Sequence, residues 1–467
     1  MKLTIWGAAQ QVTGSMHLLE VEGYHILIDC GLNYEGGVEL AENENFPFFP
    51  SDIDVVVLTH AHIDHSGNIP TLIKAGFEGQ ILCTYPTADL TQLLLSDSVN
   101  IFLRKQDNKR GRGKFKHKRF VNNNSQPLYL QRHVNDTADR TVAIAYHKEF
   151  KINNNITLKL IPTGHLLGAA AAHFTINDNG VQKTIAFTGD IGRANYPVLN
   201  NPEYLPETQN LVCESTYGGR FHTAKESLQN TLINVITEAC IDQPGRLIIP
   251  AFSVGRTQSL VFTLNKIFTA GLLPPIPVFV DSPMATMATD IYRKHHAYVS
   301  EEARSFYNKN GSEFEFDNLS YVKQLKESKE IANYFEPCII ISSAGMLEGG
   351  RIQDHLFHNI QNLYATIFFI GFCARGTLGH RLLRGDSFVN IKGKELAVFA
   401  TIKKTDLLSG HGDHQDIMEY VTKIPNQSLK KVFLVHGELE SMNALKVNME
   451  LNRLEVVIPE KGITYEL

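Results

Sequence analysis

The 467-residue chain contains no apolar run of the roughly 18 residues that a membrane-spanning helix needs, so no membrane partner is expected. Its opening, MKLTIWGAAQ, lacks the basic stretch and apolar segment of a secretory signal. Cysteine is scarce. Cys30, Cys83, Cys213, Cys240, Cys338 and Cys373 stand far apart, none at C-x-x-C spacing, and several lie inside apolar runs such as NLVCES and EPCIIIS. Small buried thiols are expected there, in a reducing cytoplasmic setting. Neither G-x-G-x-x-G nor G-x-x-x-x-G-K-[ST] occurs, so nucleotide-cradling loops have no support. Internal repeats are missing too. No sign of charge dominates: 44 Lys and Arg against 49 Asp and Glu give a net −5, a balance that excludes no class of partner.

What is present supports substantial cores, since 43% of the residues are hydrophobic. Length alone suggests about three domains of roughly 150 residues. The first part is β-rich: KLTIWG, HLLEVEG, HILIDCG and DVVVLTH each end in Gly or a polar cluster, as strands do. ITLKLIP, AAHFTI, TIAFTGD and NLVCEST continue that pattern. From about residue 219 the rhythm changes. Helix-like AKESLQNTLINVITEAC precedes RLIIPAF, TQSLVFTLNKIFTAG precedes IPVFVDS, and IQDHLFHNI precedes TIFFIGF. That alternation predicts a mostly parallel α/β sheet covered on both faces. Past residue 394 strands resume in LAVFATI, KVFLVHG and LEVVIP.

Residues 58–67, LTHAHIDHSG, follow the apolar run IDVVV and place three histidines and an aspartate between His60 and His65. Imidazoles and carboxylates buried together are costly unless something pairs them. A divalent cation does so: Zn2+ takes His nitrogen at about 2.0–2.1 Å and carboxylate oxygen at about 2.0–2.2 Å. A strand-end loop can turn His60 and His62 to one side and Asp64 and His65 to another. The cluster therefore reads as one complete site or as halves of two. KLIPTGHLLGAA, TIAFTGDIG and KVFLVHGE deliver His165, Asp190 and His436 to the ends of apolar strands as well. Each alone is an ordinary turn residue; their shared setting suggests one rim where loops converge.

The set HAHIDHSG, GHLLGA, FTGDIG and VHGE resembles the metallo-β-lactamase fold, and CESTYGGR with LSGHGDHQD makes the chain similar to the β-CASP nucleases, which process RNA or DNA. The resemblance spans nearly the whole chain with its motifs in order. It implies an αββα sandwich interrupted by an inserted β-CASP α/β domain that forms a lid: residues 1–218, then the insert at 219–394, then the return at 395–467. It implies two Zn2+ per chain, one on His60, His62 and His165, the other on Asp64, His65 and His436, with Asp190 bridging. Asp29 in LIDCG would orient a ligand without binding metal. The implied activity is that of a zinc-dependent ribonuclease, an endonuclease with a 5′-exonuclease activity as a further option. A hydroxide shared by the metals would attack phosphorus. His411 in SGHGD, polarised by Glu214 in CESTYG, would protonate the leaving oxygen.

RNA-acting members of that family carry a histidine where His436 stands, so single-stranded RNA is the expected partner. Ser342, Ser343, Gly345 and Met346 in SSAGMLEGGR match a phosphate-contact segment of the family, and PAFSVGRTQ puts Arg256 at a helix start. Residues 101–120, IFLRKQDNKRGRGKFKHKRF, hold nine basic residues against one Asp, among them Lys114, Lys116, Lys118 and Arg119. They suit a phosphate backbone, and a solvated loop equally. Arg375 and His380 in ARGTLGHR depart from the family pattern. His414 is read as non-catalytic, and His355 and His358 as helix-surface or capping groups. Two other functions stay open: a metallo-hydrolase of a small ester, thioester or lactam, and a non-catalytic RNA-binding scaffold. Relatives often dimerise, which leaves a homodimer open, though nothing in the sequence shows an interface.

Overall fold

The computed structural model describes residues 1–34, 40–112, 127–222, 226–425 and 428–467. Lys114, Lys116, Lys118 and Arg119 lie outside the described residues. The chain divides into two compact units, one formed by Met1–Ala194, Asn201–Phe221 and His411–Leu467, the other by Asn195–Asn200 and His222–Gly410.

The first unit is built on two seven-stranded sheets. In one, strands Tyr24–Ile28, Val55–Val57, Gln80–Thr84 and Thr141–Ile144 run parallel in that order. Val55, Val56 and Val57 are all buried, as a parallel strand covered on both faces requires. In the other, Val181–Phe187, Asn210–Glu214 and Lys431–Val435 run parallel, flanked by the antiparallel Ala170–Asp178 and Ile156–Pro162. Leu3, Ile28, Val57, Leu158, Phe174, Phe187, Val212 and Phe433 fill the space between the sheets. Helices His414–Thr422 and Leu439–Leu451 cover the outer face of the second sheet through Ile417, Tyr420, Leu445 and Met449. Ile69 and Leu72, on helix Ile69–Lys74, cover the outer face of the first. This is the expected αββα layering.

The second unit carries a six-stranded, all-parallel sheet in the order Leu319–Tyr321, Val278–Asp281, Cys338–Ser342, Arg246–Pro250, Ala365–Phe369, Thr401–Lys404. LAVFATI is not one strand. Lys394–Ala397 pairs antiparallel with Phe388–Ile391, while Thr401–Lys404 joins the parallel sheet. Between them the Phe399 and Ala400 amides both donate to the Ile360 carbonyl. The second compact unit extends to Gly410. A last strand unforeseen from sequence, Thr464–Glu466, pairs with Lys2–Ile5.

Candidate metal centre

Six strands of the first unit end on one rim, and each delivers a polar side chain there. Asp29 follows Tyr24–Ile28, His60 follows Val55–Val57, and His165 follows Ile156–Pro162. Asp190 follows Val181–Phe187, Glu214 ends Asn210–Glu214, and His436 follows Lys431–Val435. Asp29 (φ 59°) and His436 (φ 53°) hold left-handed backbone, a strain characteristic of functional sites. His62 precedes the single helical turn Ile63–Ser66, which carries Asp64 and His65. Gly31 lies so close to this turn that a Cβ there would meet the Asp64 carbonyl oxygen at 1.6 Å.

The side chains gather into two donor sets that share Asp190. In the first, His62 Nδ1 is 3.1 Å from both His60 Nε2 and His165 Nε2, and Asp190 Oδ2 lies 3.5 Å and 3.4 Å from those two nitrogens. In the second, Asp190 Oδ1 lies 3.2 Å from His65 Nε2 and 3.6 Å from His436 Nε2, and Asp64 Oδ2 is 3.5 Å from His436 Nε2. Tetrahedral ligands at the Zn–N distance stand roughly 3.3 Å apart. His65 Nε2, Asp190 Oδ1 and His436 Nε2 are buried and make no hydrogen bond of acceptable geometry. Buried polar atoms left in that state are expensive. Converging donors at ligand spacing with orphaned lone pairs fit a pair of divalent cations.

Hydrogen bonds to the opposite ring nitrogens fix the rings. His65 Nδ1 donates to Asp29 Oδ2 at 2.7 Å, and Asp29 is itself held by the Thr59 amide and hydroxyl at 2.8 and 2.9 Å. Thr59 Oγ1 stands 3.2 Å from His60 Nδ1, and Thr216 Oγ1 stands 2.9 Å from His436 Nδ1. Such contacts set tautomer and ring plane. Neither threonine was singled out from sequence, because isolated hydroxyls carry no spacing signal.

Burial and neighbouring imidazoles hold His60 well below the ordinary histidine range, with Asp190 opposing. Burial likewise pulls His62 down to about 4. Both rings are thus neutral, as ligands must be. Asp190 stays ionised despite its burial because His436, His65 and His60 surround it. Burial opposes charge on His65 and His436 too, but facing carboxylates outweigh it and raise both.

Beside this cluster, His411 Nδ1 is 3.3 Å from both oxygens of Glu214 and 3.8 Å from Asp190 Oδ2. Glu214 is fully buried, and its carboxylate also accepts from the Ile191 amide at 2.5 Å and the Thr216 amide at 3.3 Å. Burial disfavours the His411 cation, yet Glu214 and Asp190 lift its pKa to about 9.

The remaining candidates sit in the second unit. Ser342 is buried and donates its hydroxyl to the Asp281 carbonyl at 3.0 Å, while the Ser343 hydroxyl meets that of Ser282 at 2.9 Å. Gly345 packs on Phe252, half-buried Met346 accepts from the Gly379 amide, and Arg256 lies over the Phe252 ring at 4.6 Å. His355 is not a surface group. It is fully buried and bonds Asp281 Oδ2 at 2.6 Å, where Ser328 and Arg351 also converge.

Residues 10–120 match the metallo-beta-lactamase superfamily, residues 257–382 the Beta-Casp domain, and residues 395–459 the Zn-dependent metallo-hydrolase RNA specificity domain. The chain is 29% identical over 463 residues to Ribonuclease TTHA0252 of Thermus thermophilus, covering 99% of each chain. It is 31% identical over 450 residues to Transcription termination factor FttA of Methanothermobacter thermautotrophicus, covering 94% of this chain and 67% of that one. A crystal structure of a protein of unknown function from Enterococcus faecalis V583 shares the fold, with a TM-score of 0.56 at 14% identity.

Proposed function

Since the chain belongs to the β-CASP family of the metallo-β-lactamase superfamily, and so to the metal-dependent hydrolases, we propose that it cleaves single-stranded RNA with two zinc ions. The observation that carries this reading is Asp190. Its two oxygens face two separate sets of donors, and His411 stands beside it, paired to a buried carboxylate. His60, His62 and His165 would hold one ion, Asp64, His65 and His436 the other, with Asp190 common to both. When bound, the ions supply a water that is nucleophilic at neutral pH and charge that offsets the phosphate.

The chain's own residues do the rest. Hydrolysis adds water across a P–O bond, and the departing ribose oxygen leaves as an alkoxide unless it receives a proton. Glu214, pinned by two backbone amides, holds His411 in its protonated form through Nδ1. The proton delivered sits on Nε2, the ring nitrogen turned away from Glu214. The ring is recharged from solvent. A facing carboxylate that raises an imidazole into its cationic form is the environment a general acid needs. The similarity to a ribonuclease and the match to an RNA specificity domain support RNA as the substrate. Six buried free thiols suit a reducing, cytoplasmic setting.

The test is incubation of the zinc-loaded protein with end-labelled single-stranded RNA, DNA of the same sequence, and a thioester and lactam panel. RNA cleavage is expected, and the mapped ends separate internal from terminal cuts. Turnover of a small ester or lactam with intact RNA would overturn the reading.

A further inference from the structure

The Gly-rich turn that carries His411 leaves a question the Glu214 contact does not answer. The Glu214 carboxylate meets the ring at Nδ1, and the flanking Gly410 and Gly412 contribute no side chains. Rotation of the ring would carry Nε2 away from the leaving oxygen. Neighbouring rings oppose this motion. His165 lies 4.5 Å from His411, centroid to centroid, and Tyr217 meets it edge-on at 5.7 Å and 81°.

Tyr217 stands on the segment that already serves the site twice. Glu214 bonds His411, Thr216 bonds His436, and Tyr217 follows directly. The segment is held from the far side by His414. That residue's Nδ1 accepts the Gly219 amide at 3.0 Å, its own amide donates to the Arg220 carbonyl at 2.9 Å, and its ring packs on Phe221 at 5.3 Å. Gly218 and Gly219 permit this fit. A Cβ on Gly218 would sit 2.1 Å from the Ser441 carbonyl oxygen, and Gly219 has φ 74°. His414 lies three residues beyond His411 and opens helix His414–Thr422. The contacts form a closed circuit, from the acid to its neighbour in sequence, across to residues 219–220, and back through Tyr217 to the acid.

We propose that Tyr217 is a positioning residue for His411, with His414 locking the Tyr217 segment in place. The inference rests on the hydrolytic reading above, since it assigns Tyr217 a role in keeping His411 Nε2 aimed. It also absorbs His414, which the metal centre leaves without a part. The contact uses the Tyr217 ring, so Phe in its place retains the function and a flexible aliphatic side chain does not.

Two measurements on zinc-loaded Tyr217→Leu, Tyr217→Phe and His414→Gln decide it. Single-turnover RNA cleavage should fall between about tenfold and a hundredfold in Y217L, as misplacement of a catalytic group does, and stay within about twofold in Y217F. H414Q should fall between these two. Zinc content and melting temperature should match the wild type in Y217L, so that the loss is not one of folding. Nitrogen-15 spectra of histidine-labelled protein should show the His411 Nδ1 signal of the Glu214-bonded ring in wild type and Y217F, broadened or shifted in Y217L. An unchanged His411 signal in Y217L, or equal losses in Y217F and Y217L, overturns the inference. The spectra need no RNA turnover. A wild-type protein inert towards RNA would sink the ribonuclease reading, and the His411 signal would still decide this one.

Discussion

Replacing His411 by Ala isolates proton delivery from metal binding, and the structure says why the two should separate. His411 belongs to neither donor set. Its side chain keeps 20% of its surface exposed, so its loss opens no sealed cavity. The carboxylate it leaves behind is fully buried, which ordinarily makes truncating a partner costly. Glu214 nevertheless keeps the Ile191 and Thr216 amides as donors, and the vacated volume adjoins solvent. The expected stability cost is therefore modest, about 1–2 kcal/mol. The expected kinetic cost is larger. General acid catalysis contributes about 10²–10⁴ in rate, or roughly 3–5 kcal/mol of transition-state stabilisation. The assay is single-turnover cleavage of a labelled RNA beside hydrolysis of an aryl phosphodiester whose phenolate departs without a proton. His411→Ala should lose the stated factor on RNA, lose little on the aryl ester, and retain its zinc. Equal losses on both substrates would mean that the ring serves attack or binding and not departure. Loss of zinc would mean that it is a ligand.

Other outcomes follow from particular contacts. Asp190→Ala should weaken both zinc ions, because each oxygen serves one set, whereas His62→Ala should weaken one; metal analysis showing two ions on D190A would refute the shared role. Asp281→Ala strips the partner from buried His355 and Arg351 and should destabilise the second unit by about 3–5 kcal/mol, read as faster hydrogen exchange in Cys338–Ser342. Burial works to raise the Asp281 pKa, but His355, Ser328 and Arg351 hold it below the ordinary carboxylate value. That stability is therefore present above about pH 4 and lost as pH falls through the depressed value, and Asp281→Asn should flatten this acid limb of the exchange profile. Neutralising Lys114, Lys116, Lys118 and Arg119 together should lower the salt slope of RNA binding by up to about 3, at about 0.7 per lost phosphate contact, and an unchanged slope would return the segment to solvent.

The candidate metal ligands were legible because their signal is local. Four of them fall in one loop, and the others end apolar strands whose termination in Gly or a polar cluster is visible in one dimension. The sorting of the candidate ligands into two sets was not legible from spacing, which left one site or halves of two; it came from resemblance, and in the structure the two oxygens of Asp190 face separate groups of donors. What lay beyond reading was every contact whose partners are distant and chemically common. Thr216 orients His436 across 220 positions of sequence, and a lone threonine announces nothing. His355, in helix-like IQDHLFHNI, was read as a helix-surface or capping group, yet the Asp281 carboxylate that makes its burial tolerable belongs to a strand 74 positions away. LAVFATI failed differently. Its hydrophobicity is continuous, so periodicity could not show that the Phe399 and Ala400 amides leave the strand for Ile360. Thr464–Glu466 failed in the opposite sense, being too short and polar to register although its pairing with Lys2–Ile5 extends a sheet. Residues that must be a particular element, such as imidazole nitrogen for a cation, leave a trace in sequence. Residues that need only be present at a distance, such as a hydroxyl or a backbone amide, do not. The Tyr217 circuit is of the second kind, resting on ring edges and amides, and for that reason it became visible only when residues 214–221 and 411–414 were seen together.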